Sequence, residues 1–285
     1  MSGYVHPSDW VPMDDRELEP AAMDVVKSQI NMCVIAGPGA GKTELLAQRA
    51  GYLLQTGMCR SPQQILSLTY KRDAQKEIQD RVRLRVGDEL AKRFVSMTYD
   101  GFAKSILDRF GSGLPLWARP DPGYEIANSV YDRAKLLDGA ASLSWNTKSR
   151  LDQFFVHRIE IPLRSTPSDI KRIWKSILKG TNLSSGLILP ASLTFPVIAC
   201  LSGYLLRLNP LIARAMRLSY SYVFLDEFQD STHAQYGLVK ACFGGSGSVV
   251  TAVGDKKQLI MGWAGAKDMI FDEFVADFQA DETTA

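Results

Sequence analysis

Short apolar runs alternate with longer segments of helical periodicity along most of this chain. The runs with strand character lie at 32–35, 65–68, 95–99, 222–225 and 249–253. The segments that follow them carry apolar residues at helical spacing, as at Ala74, Ile78 and Val82. Continuous apolar runs of this length are typical of strands that are buried on both faces of a parallel sheet. The pattern therefore predicts an α/β fold, with a parallel sheet and helices on both of its faces.

A glycine-rich loop joins the first predicted strand to the helix after it. From residue 36 to residue 43 it reads Ala36, Gly37, Pro38, Gly39, Ala40, Gly41, Lys42, Thr43. This is close to G-x-x-x-x-G-K-[ST], with alanine at the first glycine position. Glycines let backbone N–H groups turn towards phosphate oxygens, and the helix N-terminus adds partial positive charge. We therefore predict that residues 37–43 bind ATP, with Lys42 on the β/γ oxygens and Thr43 Oγ on Mg²⁺.

Two carboxylates follow the fourth apolar run, and a glutamine follows the fifth. The carboxyl ends of parallel strands meet at one edge of a sheet, so Asp226 and Glu227 are expected beside the phosphate loop. Asp226 is then suited to hold Mg²⁺, and Glu227 to activate the attacking water as general base. Gln258 is suited to report whether the γ-phosphate is present. The alternative is an acidic surface turn after a core strand.

Composition and the chain's first residues narrow the class of protein. A 46% share of hydrophobic residues is sufficient for a proper core. The four cysteines form no C-x-x-C pair, which indicates buried thiols. No basic patch is followed by an apolar run at the N-terminus, so we expect a cytoplasmic protein without a membrane partner. The uncharged stretch at 181–206 could cross a bilayer, but its prolines and hydroxyl residues favour a pair of helices.

Charge is unevenly distributed although the net charge is only +2. Residues 111–215 contain 13 lysines and arginines against 7 acidic residues. A basic segment within a mildly acidic body suggests contact with a polyanion such as nucleic acid. A solvated helical surface is the alternative explanation of the same charges.

Five motifs, in chain order, resemble motifs I, Ia, Ib, II and III of superfamily 1 UvrD/Rep/PcrA-type helicases. They are AGPGAGKT, LTYKRDAQKEIQDRV, TYDGFAKSI, LDEFQDST and VGDKKQLIMGWAGA. The resemblance implies a RecA-like, P-loop ATP-binding domain, 1A-like, at 1–110 and 215–285. It also implies a helical, basic insertion, 1B-like, at 111–214 that helps to guide DNA. ATP, Mg²⁺ and single-stranded or partly duplex DNA are the ligands that such a protein is expected to bind.

The resemblance also assigns nucleic-acid residues and reveals departures from the family pattern. Positions that touch single-stranded DNA correspond to Thr69, Tyr70 and Thr98, and Trp263 corresponds to an aromatic residue that stacks on a base. This chain has Ala21 and Ala22 where the family has a glutamine that reads adenine, and Asp100 in place of the motif Ib histidine. In motif III, Met261 replaces a base-stacking tyrosine and Ala264 replaces an arginine.

Motifs IV, V and VI, which lie on a second RecA-like domain in that family, are absent from these residues. The resemblance therefore implies an ATPase half of a DNA helicase motor, which needs a second RecA-like domain in the same chain or in a second chain. A nucleotide-gated DNA-binding or regulatory module without efficient turnover is the alternative. The retained Lys42, Asp226 and Glu227 favour the enzyme.

Overall fold

The computed structural model describes residues 4–12, 18–37, 39, 41–127, 161, 168–180, 190–258 and 269–284. The chain divides into two compact units. The first unit comprises Met1–Tyr99, Ala213–Thr232 and Cys242–Ala285. The second comprises Asp100–Ile212 and His233–Ala241.

The strands and helices follow one another much as the apolar pattern predicts. The strands are β1 (Met32–Ile35), β2 (Gln64–Thr69), β3 (Phe94–Thr98), β4 (Glu125–Ile126), β5 (Ser192–Leu193), β6 (Tyr220–Leu225), β7 (Val249–Gly254) and β8 (Asp281–Thr284). The helices are α1 (Pro20–Lys27), α2 (Lys42–Gln55), α3 (Arg72–Ala91), α4 (Tyr99–Phe110), α5 (Ser168–Lys179), α6 (Phe195–Leu208), α7 (Pro210–Ser219), α8 (His233–Phe243) and α9 (Ile270–Phe278). Short 3₁₀ turns occur at Gly111–Gly113 and Phe228–Asp230.

The first unit is built on a six-stranded sheet in the order β3-β2-β6-β7-β1-β8. All neighbouring strands in it are parallel. The predicted α/β class with a parallel, RecA-like sheet is confirmed. Because the strands are parallel, the segments that follow β1, β2, β6 and β7 all leave from the same edge of the sheet. The predicted phosphate loop and the predicted carboxylates belong to these segments.

Helices cover both faces of this sheet. On one face α1, α2 and α3 pack on side chains of the strands, with Leu46 and Val82 meeting Phe224 in one buried cluster. On the other face α9 contributes Phe271 and Phe274, whose rings lie 5.5 and 5.3 Å from that of Phe228. Burial on both sides explains why the central strands are continuously apolar.

The second unit contains α4, α5 and α6, together with β4 and β5, which form a two-stranded parallel sheet. Its buried side chains come largely from α5 and α6, among them Trp174, Ile177, Ile198 and Leu201. Residues 128–160, 162–167 and 181–189 of the predicted insertion lie outside the described residues. The predicted boundaries of that insertion, 111 and 214, stay a prediction.

Two further expectations concern cysteines and membrane spans. All four cysteines are free, and Cys33, Cys59 and Cys242 are buried, as the sequence predicts. Within the described residues, α6 and α7 are the one pair of helices with the length and apolar content of a span, and they meet at a bend of 102°. No single described helix has both properties.

Candidate functional site

The loop between β1 and α2 has the backbone conformation of a phosphate cradle. The N–H of Ala36 donates to the carbonyl of Gly254 (2.9 Å), which holds the start of the loop against β7. Gly39 and Gly41 have φ values of +77° and +74°, a backbone conformation that residues other than glycine rarely adopt. Among the described residues, nothing lies within 4 Å of a Cβ placed at Gly37 or Gly39, so the described residues leave this side of the loop open. An open loop at the N-terminus of a long helix fits an anion such as phosphate.

Lys42, the first residue of α2, faces the carboxylates after β6. Its Nζ lies 3.4 Å from Oε2 of Glu227, and the lysine side chain is only 10% exposed. The structure thus brings the predicted phosphate-binding lysine and the predicted general base together. Thr43 follows in the first turn of α2 and is partly buried. Pro38 and Ala40 lie outside the described residues.

Asp226 is a buried carboxyl group at the end of β6, with 2% of its surface exposed. Its N–H donates to the carbonyl of Leu68 (2.9 Å), and its Oδ1 accepts the N–H of Glu227 (3.0 Å). Burial raises the pKa of Asp226 to about 7, and the charge of Glu227 adds to the rise. Such a buried carboxyl group, whose pKa stays raised although the charge of Lys42 acts to lower it, fits a cation, and Mg²⁺ prefers such oxygen ligands together with phosphate oxygens.

Glu227 has a strained backbone. Its φ of 47° and ψ of 47° place it in the left-handed region, which costs a non-glycine residue about 1 kcal/mol or more. The surrounding structure must hold this conformation. Through it, the Glu227 carboxylate is directed to Lys42 and remains 38% exposed, as a group that activates a water molecule must be.

Gln229 is a site residue to which the sequence analysis gave no role. It is 2% exposed, its Nε2 donates to Oε2 of Glu227 (2.8 Å), and its Oε1 accepts the N–H of Asp255 (3.1 Å). One amide therefore links the segment after β6 to the segment after β7. A Cβ at Gly254 would lie 2.4 Å from this Oε1. The glycine that follows the β7 run was the one sign in the sequence of this close approach.

Gln258, predicted to sense the γ-phosphate, lies in the turn after β7 and is partly exposed. Its N–H donates to the carbonyl of Asp255 (3.1 Å), whose Oδ1 accepts the N–H of Lys257 (2.8 Å). These two hydrogen bonds fix the turn that follows β7, the strand that lies between β6 and β1 in the sheet. The sensing role itself stays a prediction.

The predicted nucleic-acid residues are only partly accessible. Thr69 and Thr98 are register partners at the ends of β2 and β3. Thr69 is fully buried, whereas Tyr70 and Thr98 are partly exposed. Trp263 lies outside the described residues. In this conformation, contact with nucleic acid at the sheet edge is therefore open to Tyr70 and Thr98 but closed to the side chain of Thr69.

Known proteins of similar sequence include a matching family model and named relatives. A family model, that of the UvrD/REP helicase N-terminal domain, matches residues 18–126 and 182–279. The chain is 28% identical to DNA helicase II of Escherichia coli (strain K12) over 279 residues, covering 91% of this chain and 36% of that protein. It is 26% identical to ATP-dependent DNA helicase PcrA of Staphylococcus aureus (strain Mu50), covering 87% of this chain and 34% of the relative. The chain thus spans roughly a third of the length of these relatives.

Proposed function

Because the chain belongs to the family of UvrD/REP helicase N-terminal domains, we propose that it binds ATP with Mg²⁺ and hydrolyses it as the motor part of a DNA helicase. The observation that carries the proposal is the pairing of Lys42 with Glu227 at 3.4 Å, beside the buried carboxyl group of Asp226. A lysine from the phosphate loop, a buried carboxyl group and an exposed carboxylate are groups that serve hydrolysis of the phosphoanhydride bond between the β- and γ-phosphates of ATP.

Each of these groups has a distinct task in the proposed reaction. The loop amides and Lys42 bind the β- and γ-phosphates, so Lys42 exchanges Glu227 for phosphate oxygens when nucleotide binds. Thr43 Oγ and Asp226 would hold Mg²⁺, which supplies positive charge to the phosphate oxygens. Glu227, once released, accepts the proton of the attacking water, and Gln229 keeps its carboxylate oriented through the 2.8 Å hydrogen bond.

Single-stranded or partly duplex DNA is the proposed macromolecular ligand. The relatives are named DNA helicases. Tyr70 and Thr98, at the same sheet edge as the phosphate loop, are the accessible candidates for contact with the strand. The insertion proposed at 111–214, 1B-like, would guide the DNA through its excess of lysine and arginine. A second RecA-like domain, in the same chain or in a partner chain, would supply the remaining groups that motor activity needs.

Steady-state hydrolysis and nucleotide binding by residues 1–285 test the proposal. Lys42→Ala should weaken ATP binding, because the lysine contacts phosphate oxygens in the ground state. Glu227→Gln should leave binding nearly intact and lower DNA-stimulated turnover by about 10²- to 10⁴-fold, because only the base is lost. Glu89→Gln, at a side chain that is 86% exposed, is the matched control and should change neither.

The outcomes separate the enzyme from its alternative. Absence of ATP binding by the wild-type chain, or full turnover by Glu227→Gln, would contradict the proposal. Binding without turnover, even with single-stranded DNA and a second RecA-like domain present, would instead favour a nucleotide-gated module. Processive unwinding of duplex DNA by residues 1–285 alone would refute the need for a second RecA-like domain.

A further inference from the structure

A buried carboxylate in the first turn of α2 has no task in the hydrolysis described above. Glu44 follows Lys42 and Thr43, and its side chain is only 9% exposed. Nη2 of Arg85 donates to both of its oxygens, at 2.6 and 2.7 Å, and Nη1 of Arg81 donates to Oε2 at 3.0 Å. These hydrogen bonds join a charged donor to a charged acceptor, and such bonds are stronger than those between neutral groups.

Both arginines belong to α3, one helical turn apart, so they lie on one face of that helix. Arg81 also donates to Oε1 of Glu77, from Nη2 at 2.7 Å. Arg85 uses its Nη1 to donate to the carbonyl of Arg81 at 2.9 Å, which fixes its guanidinium against the helix. The result is a row of charges on α3 that holds one point of α2, directly beside the residues proposed to bind phosphate and metal.

Arg83 on this helix forms an ordinary ion pair, for comparison, with Asp88, which follows the non-helical Gly87. Arg83 and Asp88 are paired at the surface, with side chains that are 63% and 67% exposed. Water screens such a pair, and its loss changes little. Arg85 and Glu44 are 6% and 9% exposed, so the loss of one would leave the other charged and buried. The α2–α3 pair therefore constrains the two helices in a way that the surface pair does not.

The position of α3 connects this constraint to the candidate contact with single-stranded DNA. The helix begins at Arg72, directly after the segment that follows β2, in which Tyr70 is a candidate for contact with single-stranded DNA. A displacement of that segment on DNA binding would be carried to the N-terminal part of α3. The ion pairs of Arg81 and Arg85 with Glu44 would in turn transmit this displacement to the first turn of α2.

We propose that Glu44, Arg81 and Arg85 are positioning residues that couple occupancy of the single-strand site to nucleotide affinity. The inference rests on the proposed function, since it requires that the chain bind both ligands. By thermodynamic linkage the effect is reciprocal: DNA changes the affinity for nucleotide by the same factor by which nucleotide changes the affinity for DNA. None of the three residues needs to touch either ligand.

Binding of a fluorescent ATP analogue to the full 285-residue chain, with and without saturating oligo-dT, measures this factor. Coupling between two sites usually changes an affinity by about 5- to 150-fold. Glu44→Gln should bring the factor close to one, and Arg81→Gln should lower it by more than about two-fold while the pair of Arg85 and Glu44 remains. Arg83→Gln, on the same helix, should leave it at the wild-type value. Arg81→Gln is the decisive variant if Glu44→Gln fails to fold, because Arg81 is 37% exposed and its removal leaves Glu44 paired with Arg85.

The possible results distinguish this inference from the proposed function. If the wild-type chain binds no ATP analogue, the proposed function fails and the inference fails with it. If it binds both ligands without mutual influence, only the inference fails. If Glu44→Gln or Arg81→Gln lowers the melting temperature but keeps the coupling factor within about two-fold of wild type, the network is only structural and the inference is overturned.

Discussion

Gly254 at the end of β7 is the position where a single methyl group should disturb the site most clearly. A Cβ there would lie 2.4 Å from Oε1 of Gln229, 2.9 Å from Cζ of Phe271 and 3.2 Å from the backbone N of Gln229. The amide oxygen could swing away, but the ring is packed against Phe228 and the backbone N cannot rotate. Gly254→Ala must therefore shift both the Gln229 side chain and its surroundings.

The cost follows from the contacts that would be lost. Moving Oε1 of Gln229 deprives the N–H of Asp255 of its acceptor, and a buried unpaired donor costs about 1 to 3 kcal/mol. Overpacking of a filled site costs a similar amount, about 1 to 3 kcal/mol. Since the same displacement causes both, we expect a loss of about 2 to 4 kcal/mol in the free energy of unfolding. The hydrogen bond from Gln229 to Glu227 should be lost as well, and ATP turnover should fall with it.

Urea unfolding, followed by circular dichroism, measures the change in the free energy of unfolding, and Gly237→Ala is the control. Gly237 lies inside α8, and a Cβ there would meet no described residue within 4 Å. Its replacement by alanine should stabilise the chain by up to about 1 kcal/mol, because glycine is the poorer helix former. If the free energy of unfolding of Gly254→Ala lies within about 0.5 kcal/mol of the wild-type value, the close approach of Gln229 to β7 is contradicted.

Two further predictions concern buried charges. The pKa of Asp226, about 7 when folded against 3.8 normally, means that the folded chain binds the extra proton and loses stability as the pH rises through this window. In urea titrations without Mg²⁺ or nucleotide, Asp226→Asn should therefore stabilise by about 3 kcal/mol more at pH 8 than at pH 5, and equal effects would contradict this. Arg49 is fully buried, and its Nη1 donates to the carbonyls of Val25 and Val26 in the last turn of α1. Arg49→Ala should cost about 3 to 5 kcal/mol in the same assay, and a loss below about 1 kcal/mol would show that α1 does not depend on it.

The parallel sheet could be predicted because its central strands are buried on both faces. Continuous apolar runs such as those within β1 and β6 identify such strands with little ambiguity. β8, with the sequence DETT, carries no such pattern and was not predicted. It is an edge strand paired on one side to β1, so its conformation comes from the backbone of its neighbour rather than from its own side chains.

The site was predictable where its chemistry is local in sequence. The loop ending at Lys42 and the carboxylates after β6 are contiguous motifs, and parallel topology alone brings them to one edge. Glu44 is different, because a first-turn acid ordinarily faces solvent and the helix N-terminus. Its partner Arg85 is 41 positions away, and only the packing of α2 on α3 brings the two together. The role of Gln229 was missed for a similar reason, since one of its two partners lies 26 positions away.

Two energetically unfavourable features and one ion pair coincide at the end of β6. Asp226 is a buried acid with a raised pKa, Glu227 has a left-handed backbone, and Lys42 is paired with Glu227 at 3.4 Å. Core residues chosen for stability alone would show neither the raised pKa nor the left-handed backbone, each of which costs about 1 kcal/mol or more. A cation at Asp226 would offset its burial, and a polyanion at Lys42 would release Glu227 towards water. The cost of burying Asp226 would thus be offset by a metal-bound nucleotide, and this supports the proposed nucleotide site over a purely structural ion pair.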